Sequence, residues 1–251
     1  MADSVERFSN RVENYVKYRP DYPREILAYL AANCGLTNES VVADVGCGTG
    51  ISTRLFLENG NRVFGVEPNA AMRAAAEKYL VSFPWFISVD GTSEATTLAS
   101  NSIDFVVAAQ AFHWFDAEKT RPEFHRILKQ SGHIVLIWNE RQLDATPFLV
   151  GYEAFLLKYA NDYGNVRHEN IKAEELDRFF ESEFGEVAFQ NEQIFDFEGI
   201  KGRMLSASYM PNEADAVFST MIEELRSLFA KHAENGKIKV LYDTKVYFSQ
   251  I

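Results

Sequence analysis

Residues 41 to 50 read Val-Val-Ala-Asp-Val-Gly-Cys-Gly-Thr-Gly, an apolar run that breaks into three closely spaced glycines. The run from Val41 to Val45 is typical of a central parallel strand buried on both faces, with Asp44 as its one polar member. A strand that delivers a glycine-rich loop and then a helix gives a ligand direct access to backbone, because no side chain blocks the approach. The stretch therefore predicts a nucleotide-binding loop.

The spacing of the glycines separates two classes of nucleotide. A dinucleotide loop has the pattern Gly-x-Gly-x-x-Gly, in which the third glycine allows close helix packing and the pyrophosphate rests on the helix N-terminus. Here Ile51 stands at that third position, and the glycine comes one residue earlier, at Gly50. Asp44, two residues before Gly46, would repel a diphosphate and help to hold a positive group, directly or by orienting the loop. The loop therefore favours a cationic nucleotide over NAD.

A second acid, Glu67, closes the next predicted strand, residues 63–66. In nucleotide-binding sheets an acid at this place accepts hydrogen bonds from the ribose hydroxyls, and a carboxylate can accept both. Taken alone, Glu67 could equally end a strand in solvent. The glycine loop upstream, with Gly46, Gly48 and Gly50, favours the ribose-binding role.

Strands and helices alternate over residues 41 to 138. After the strand at 41–45, further strands are predicted at 63–66, 86–89, 103–109 and 133–138, and helices at 51–58, from the capping residue Asn69 to 79, and from the capping residue Asp116 to about 129, with a stop at Ser131-Gly132. A further helix is predicted from residue 26 to a glycine stop at Gly35. This alternation predicts a Rossmann-like, doubly wound, mostly parallel α/β sheet with helices on both faces.

The alternation stops after residue 138. The pattern there predicts helices at 148–163 and 173–184, a strand at 187–197, a helix at 212–232 and a final strand at 239–249, which brings the sheet to seven strands. The first two helices would cover the carboxyl ends of the parallel strands as a lid. We expect one domain over 1–251, divided into an N-terminal lid and first helix (1–40), a cofactor-binding core (41–138), a helical lid insertion (139–185) and the final helices and strands (186–251).

Composition excludes several function classes. The 251 residues carry a formal net charge of −11, which argues against a nucleic-acid-binding face. The two cysteines and five histidines show no metal-ligand spacing, so no metal is expected. The N-terminus lacks the apolar segment of a signal peptide, and no apolar run reaches the roughly twenty residues of a membrane span. We expect a cytoplasmic protein with no membrane partner.

Several groups of residues resemble a known family. Asp44-x-Gly46-x-Gly48-x-Gly50 followed by Glu67 resembles the first two motifs of the class I S-adenosylmethionine-dependent methyltransferases. Residues 91–94 (Gly-Thr-Ser-Glu) and 101–104 (Asn-Ser-Ile-Asp) resemble the adenine-binding turn and following strand of the small-molecule branch. Residues 110–116 (Gln-Ala-Phe-His-Trp-Phe-Asp), with the Tyr-rich residues 15–23, resemble a narrower subset, methyltransferase type 11 and trans-aconitate methyltransferase-like proteins.

The resemblance covers most of residues 8 to 140. It implies S-adenosylmethionine as methyl donor, S-adenosylhomocysteine as product, and a small-molecule acceptor, with a carboxylate-bearing metabolite among the candidates. At Thr92 many relatives carry Asp, so adenine contacts here are expected from the hydroxyls of Thr92 and Ser93 and from backbone amides. The expected partner is the small-molecule substrate, with neither nucleic acid nor membrane, and the chain could be a monomer or a homodimer.

Residue type, position and resemblance together give the expected site. Cofactor contacts are expected from Asp44, Gly46, Gly48, Gly50, Glu67, Thr92, Ser93, Ala109, Gln110 and Arg19. Substrate contacts are expected from Tyr15, Tyr18, Tyr22, Trp114, Asn139, Arg141 and Tyr209, with Ser206 and Ser208 nearby. Arg19 stands alone among tyrosines and is interpreted as an anion clamp for the methionine carboxylate or an acidic substrate; packing of an N-terminal helix is the alternative.

His113 is the candidate catalytic residue, because it follows the fourth strand and so lies at the ligand edge of the sheet. It would act as a general base if the acceptor is a hydroxyl, amine or carbon acid, and a carboxylate acceptor needs no base. The alternative is that His113 only orients its loop. Two other functions stay open: a non-catalytic S-adenosylmethionine-binding sensor or assembly protein and, disfavoured by Ile51, a nicotinamide-dependent reductase.

Overall fold

A computed structural model describes residues 12–161, 163, 173–181, 183–207 and 209–251. Ser208 and the side chain of Tyr15 lie outside the described part. The strands are β1 (Val41–Val45), β2 (Arg62–Val66), β3 (Phe86–Val89), β4 (Ile103–Ala109), β5 (Leu128–Arg141), β6 (Gly185–Phe195) and β7 (Ile238–Gln250). The helices are α1 (Val12–Tyr18), α2 (Glu25–Cys34), α3 (Ile51–Glu58), α4 (Ala70–Tyr79), α5 (Ala117–Ile127), α6 (Pro147–Tyr159), α7 (Ala173–Phe180), α8 (Phe197–Leu205) and α9 (Phe218–His232).

These strands form one sheet in the order β3-β2-β1-β4-β5-β7-β6. Strands β1 to β5 are parallel, and β7 pairs antiparallel with both β5 and β6. The predicted seven-stranded, mostly parallel Rossmann-like sheet is confirmed. Because β1 lies in the middle, with Val42 to Val45 fully buried, its carboxyl end opens onto the crevice where such sheets bind ligands.

Local signals set most boundaries in the first half of the chain. The side chain of Asn69 accepts hydrogen bonds from the amides of Ala71 and Met72 and so begins α4, and Asp116 caps α5 in the same way. Gly35 adopts a left-handed conformation at the end of α2. All three predicted boundaries are confirmed.

The start of β5 was predicted wrongly. Helix α5 ends at Ile127 and β5 begins at Leu128, so Ser131 and Gly132 lie inside the strand and do not stop a helix. Leu128 pairs with Ile103 and His133 with Phe105, which leaves a bulge between the two pairs. Pairing with β4 and burial of Leu128 therefore override the local glycine signal.

In the second half of the chain, the bounds of the helices and strands differ more from the predicted ones. Strand β6 ends at Phe195, and α8 follows it where the sequence predicted only the end of a strand. Helix α9 begins at Phe218 and not near residue 212, because Asn212 and Asp215 form a turn in which the Asn212 amide donates to the Asp215 carboxylate. Helices α6 and α7 end at Tyr159 and Phe180, short of the predicted 163 and 184.

The two helices predicted as a lid within 139–185 pack in different places, and the lid itself stays a prediction. Helix α6 packs with α8 and α9 in one apolar cluster at the β5 and β7 end of the sheet. Helix α7 instead packs beside α5 in a second cluster, where Phe179 contacts Phe112 and Phe124. Helix α1 packs against both α8 and α4. No helix in the described ranges is long and apolar enough to cross a bilayer.

Packing of α1 on α8 depends on Gly202, where a Cβ would lie 2.0 Å from a ring carbon of Tyr18. We predict that Gly202→Ala lowers the free energy of unfolding by about 1 to 3 kcal/mol through overpacking, partly offset by alanine's better helix propensity of about 1 kcal/mol. Combining it with Tyr18→Leu should recover part of the loss, measured by thermal and urea unfolding. Strictly additive losses in the double variant would contradict this packing argument.

Candidate active site

The glycine loop leaves β1 and is held against the end of β2. The amides of Gly46 and Cys47 donate to the carbonyl oxygen of Val66, at 2.8 and 3.2 Å. The amide of Gly50 then donates to the Cys47 carbonyl at 2.9 Å, which closes the turn before α3. The loop is therefore fixed by its own backbone at the centre of the carboxyl edge.

Two of the glycines have different roles. Gly50 has φ of +88°, and a Cβ there would lie 2.7 Å from the Leu80 Cδ1, so this glycine allows the loop to pack. Gly48 has φ of +56°, and a Cβ there would meet only the Cε of Met72, at 4.0 Å, among the described atoms. The loop is therefore open at Gly48, where a ligand can approach the backbone.

Asp44 lies beneath the loop and is fully buried. Its Oδ2 accepts hydrogen bonds from the hydroxyls of Ser52 (2.7 Å) and Thr53 (2.6 Å) in the first turn of α3. Its Oδ1 has no hydrogen-bond partner within the described ranges. Burial raises the pKa of Asp44 to about 6, against the opposite effect of the two hydroxyls. The geometry supports loop orientation, and a direct cofactor contact stays a prediction.

Glu67 joins the glycine loop to the turn that begins α4. Its Oε2 accepts from the Gly48 amide at 2.9 Å, and its Oε1 accepts from the Asn69 amide at 2.8 Å. Burial raises its pKa, while the two amides and the charge of Arg73 act in the opposite direction. Each carboxylate oxygen keeps a second lone pair. Ribose binding by Glu67 remains a prediction that this geometry permits.

The turn predicted to contact adenine is closed by a short β-bridge between Thr92 and Ala95. Ser93 is buried, and its hydroxyl interacts with that of Thr120 on α5 at 2.9 Å. Thr92 is only half-buried. Of the two predicted hydroxyls, therefore, that of Ser93 is already engaged by the protein, and that of Thr92 is the better placed for a ligand.

Strand β4 ends in an unusual backbone conformation. Ala109 is buried in the core, and Gln110 follows with φ of +55°, a value that non-glycine residues rarely adopt. The Gln110 Nε2 donates to the Asn139 carbonyl at 3.0 Å, whereas its Oε1 has no hydrogen-bond partner in the part of the chain that is described. Such strain is typical of functional sites. Gln110 therefore presents an acceptor at the ligand edge.

His113 and Arg19 lie close enough to interact electrostatically. His113 sits in a 3₁₀ turn, Phe112–Trp114, with its ring centroid 4.9 Å from that of Trp114. Burial, and after it the charge of Arg19, lower the pKa of His113 to about 4. The Arg19 Nη2 donates to the carbonyl of Ser206, just after α8, at 3.2 Å. Three distant segments therefore meet here, and the imidazole is neutral near pH 7.

Three other predicted substrate residues pack within the protein. Tyr18 packs on α8, and Tyr22 borders the apolar cluster of α2 and β1. The Asn139 Nδ2 donates to the Asp21 carbonyl at 3.3 Å, and its Oδ1 accepts from Asn191 and Thr244. Asn139 therefore ties the segment after α1 to the sheet, and its substrate contact stays a prediction.

Arg141 and Tyr209 lie together at the end of β5. Arg141 forms an ion pair with Glu153 on α6 and donates to the Tyr163 hydroxyl at 2.9 Å. The ring centroids of Tyr163 and Tyr209 are 5.0 Å apart. The charge of Arg141 is thus largely matched within the protein.

Sequence reasoning missed Arg203, on α8. Its Nε donates to the Tyr242 hydroxyl at 3.3 Å. The available signal was Asp196, whose side chain accepts from the Gly199 amide at 2.7 Å and caps α8, but two glycines in nine residues weaken the helical pattern. Among the described side chains no group of three or more His, Cys, Asp or Glu could hold a metal ion.

Residues 43–136 match the family described as "Methyltransferase domain". The chain is 26% identical to an uncharacterised methyltransferase-like protein of Schizosaccharomyces pombe over all of its length and 98% of that protein. It is 34% identical to an uncharacterised methyltransferase of Mycobacterium tuberculosis, but over only 53% of the chain and 52% of that relative. A structure from Anaeromyxobacter dehalogenans described as a type II methyltransferase superposes with a TM-score of 0.69 at 18% identity, covering 93% of this chain and 98% of that one.

Residues 43–136 thus resemble a methyltransferase domain. The matched residues contain most of β1, all of β2 to β4, the glycine loop, Glu67, Gln110 and His113, whereas Arg19 and Ser206 lie outside them. These matches support the methyltransferase activity predicted from the sequence, and S-adenosylmethionine as the methyl donor stays a prediction. The narrower likeness to trans-aconitate methyltransferases stays a prediction.

Asp44→Asn tests how this buried acid acts on ligand binding. S-adenosylmethionine is a sulfonium cation and S-adenosylhomocysteine is a neutral thioether at that sulfur. If Asp44 orients the loop through Ser52 and Thr53, the variant should weaken both ligands by a similar factor, about tenfold or 1.4 kcal/mol, in calorimetric titrations. Ser52→Ala is the matched control and should weaken both less. A loss confined to S-adenosylmethionine would instead show direct charge attraction.

The pKa of His113 predicts a pH-dependent contribution to stability. Between pH 6.5 and pH 4 the unfolded chain binds a proton at this histidine that the folded chain does not, so this contribution falls as the pH is lowered. From pH 7.5 to 5.0 the wild type should lose about 1 to 2 kcal/mol more than His113→Gln does, in urea unfolding. Parallel pH profiles for the two proteins would contradict the pKa assignment.

Proposed function

We propose that this protein transfers the methyl group of S-adenosylmethionine to a small-molecule acceptor held under α1, α6 and α8. The observation that carries the proposal is the bridge made by Arg19, the residue after α1. Its guanidinium donates a hydrogen bond to the carbonyl of Ser206, after α8, and its charge lowers the pKa of His113. This bridge crosses the carboxyl edge of the sheet, where the glycine loop ends. A covered edge suits a small acceptor better than a polymer.

The donor would bind through backbone and carboxylate groups. Gly48 offers an open approach, Glu67 has lone pairs left for the ribose, and the Thr92 turn borders the adenine. Gln110 presents its Oε1 beside them, suited to the ammonium of the methionine moiety. These assignments are supported by position and hydrogen-bonding capacity.

Methyl transfer from a sulfonium requires few catalytic groups from the protein. The acceptor atom attacks the methyl carbon in line, the new bond to carbon forms as the carbon–sulfur bond breaks, and the electron pair goes to sulfur, giving S-adenosylhomocysteine. The protein has to align the two groups and exclude water. A pKa of about 4 makes His113 a weak base near pH 7, which favours an acceptor that is already deprotonated over one that must lose a proton.

The alternative of a non-catalytic S-adenosylmethionine sensor has no separate support in the site. The acidic composition, −11 overall, supports a partner other than nucleic acid. The cytoplasmic location and the oligomeric state stay predictions.

Glu67→Ala should abolish measurable binding of S-adenosylmethionine and S-adenosylhomocysteine, because it removes both the ribose acceptor and the tie to Gly48. Glu118→Ala, an exposed acid on α5, is the matched control and should bind both ligands like the wild type. Calorimetry gives the affinities, and radiolabelled methyl transfer to a panel of small acids, alcohols and amines tests turnover. Unchanged binding in Glu67→Ala would contradict the proposed site, and tight binding without any transfer would favour the sensor.

A further inference from the structure

A second group of polar side chains lies beside the candidate site, between α6, α8 and the paired strands β5 and β7. It contains Arg203 with Tyr152, Tyr209 and Tyr242, and Arg141 adjoins it. Tyr242 on β7 pairs with Arg141, the last residue of β5, so the group lies at the ligand edge of the sheet. We call it the Arg203 cluster.

Arg141 and Arg203 differ in whether a carboxylate neutralises their positive charge. Arg141 has the carboxylate of Glu153 in contact with it. Arg203 lies deep among side chains, and within the described ranges no carboxylate comes within ion-pair distance of it. The one described hydrogen bond of its guanidinium runs from Nε to the Tyr242 hydroxyl. A buried guanidinium cannot release its proton and is costly without a counter-charge.

The tyrosines do not supply that counter-charge. Burial raises the pKa of Tyr152, so its phenol is neutral near pH 7. The Tyr242 hydroxyl is oriented by the side chain of Gln193, at 2.9 Å. Neutral hydroxyls around a guanidinium provide hydrogen bonds to an oxyanion and leave the positive charge in place.

Arg203 is also accessible and close to the candidate site. Arg203 is partly exposed, so its guanidinium is not sealed off from a ligand. Its carbonyl accepts from the hydroxyl of Ser206, the residue whose own carbonyl accepts from Arg19. Arg203 is thus linked through one turn of chain to the Arg19 and His113 pair.

We propose that Arg203 is the specificity-determining residue for the methyl acceptor, binding a carboxylate of that molecule with help from the hydroxyls of Tyr152 and Tyr209. The inference rests on the proposed function, because it assigns the acceptor to the same site. The acceptor is then a small molecule with a carboxylate that anchors it, and the methyl goes to another group of the same molecule. The guanidinium fork suits the two oxygens of a carboxylate.

The test compares wild type, Arg203→Met, Arg203→Lys and, as a matched control, Lys201→Met, which removes one positive charge from the same helix. Each protein, saturated with S-adenosylhomocysteine, is titrated with a panel of mono-, di- and tricarboxylic acids and their amides. We expect wild type and Lys201→Met to bind at least one acid and not its amide, and Arg203→Met to lose about 100-fold in that affinity. Arg203→Lys should lie between, because lysine keeps the charge and loses the fork.

Binding of S-adenosylhomocysteine separates the two proposals. If the wild type does not bind it, the proposed function fails. If all four proteins bind it equally, and either no acid binds or Arg203→Met binds acids like the wild type, the inference about Arg203 is overturned and the methyltransferase proposal stands. Should Arg203→Met fail to fold, a wild-type affinity for the acids in Arg203→Lys would overturn it as well.

Discussion

The carboxylate of Glu67 receives backbone amides from two different turns, one after β1 and one after β2. Burial disfavours the charged form of Glu67, and the two amides offset much of that effect. The group that is expected to hold the ribose therefore also fixes the glycine loop, so the site is formed before a ligand arrives and little ordering is left to binding.

Asp44 provides the same kind of support from below. Its side chain interacts with two hydroxyls at the start of α3, and the strand that carries it is buried on both sides. Both acids thus act first on the protein backbone. This explains why an acid and three glycines at fixed spacing predict a whole loop conformation: the acid and the glycines each contact a neighbour whose place is fixed by the same sheet and helices.

Prediction from sequence succeeded where structure depends on such short-range signals. The bounds of α3, the caps Asn69 and Asp116 and the strand β4 all follow from patterns of a few residues. It failed where tertiary contacts decide. Leu128 enters a strand because β4 lies beside it, and α8 forms despite two glycines because one of them admits the ring of Tyr18. The contact between Arg19 and Ser206 joins residues 187 apart, which no local pattern can indicate.

Charge is distributed unevenly between the surface of the protein and the candidate site. The chain is acidic overall, whereas Arg19, Arg141 and Arg203 lie near one another where α8 meets the sheet. At physiological salt the field of surface charges is screened within about 8 Å, so the surface acids have little effect on a ligand already enclosed. Inside, the local charges dominate. An acidic exterior favours the approach of a cationic donor, and an interior with a positive group favours an anionic acceptor. In the proposed reaction the transferred methyl removes the sulfonium charge of the donor, and the attraction that favoured the approach of the donor is weaker for the product.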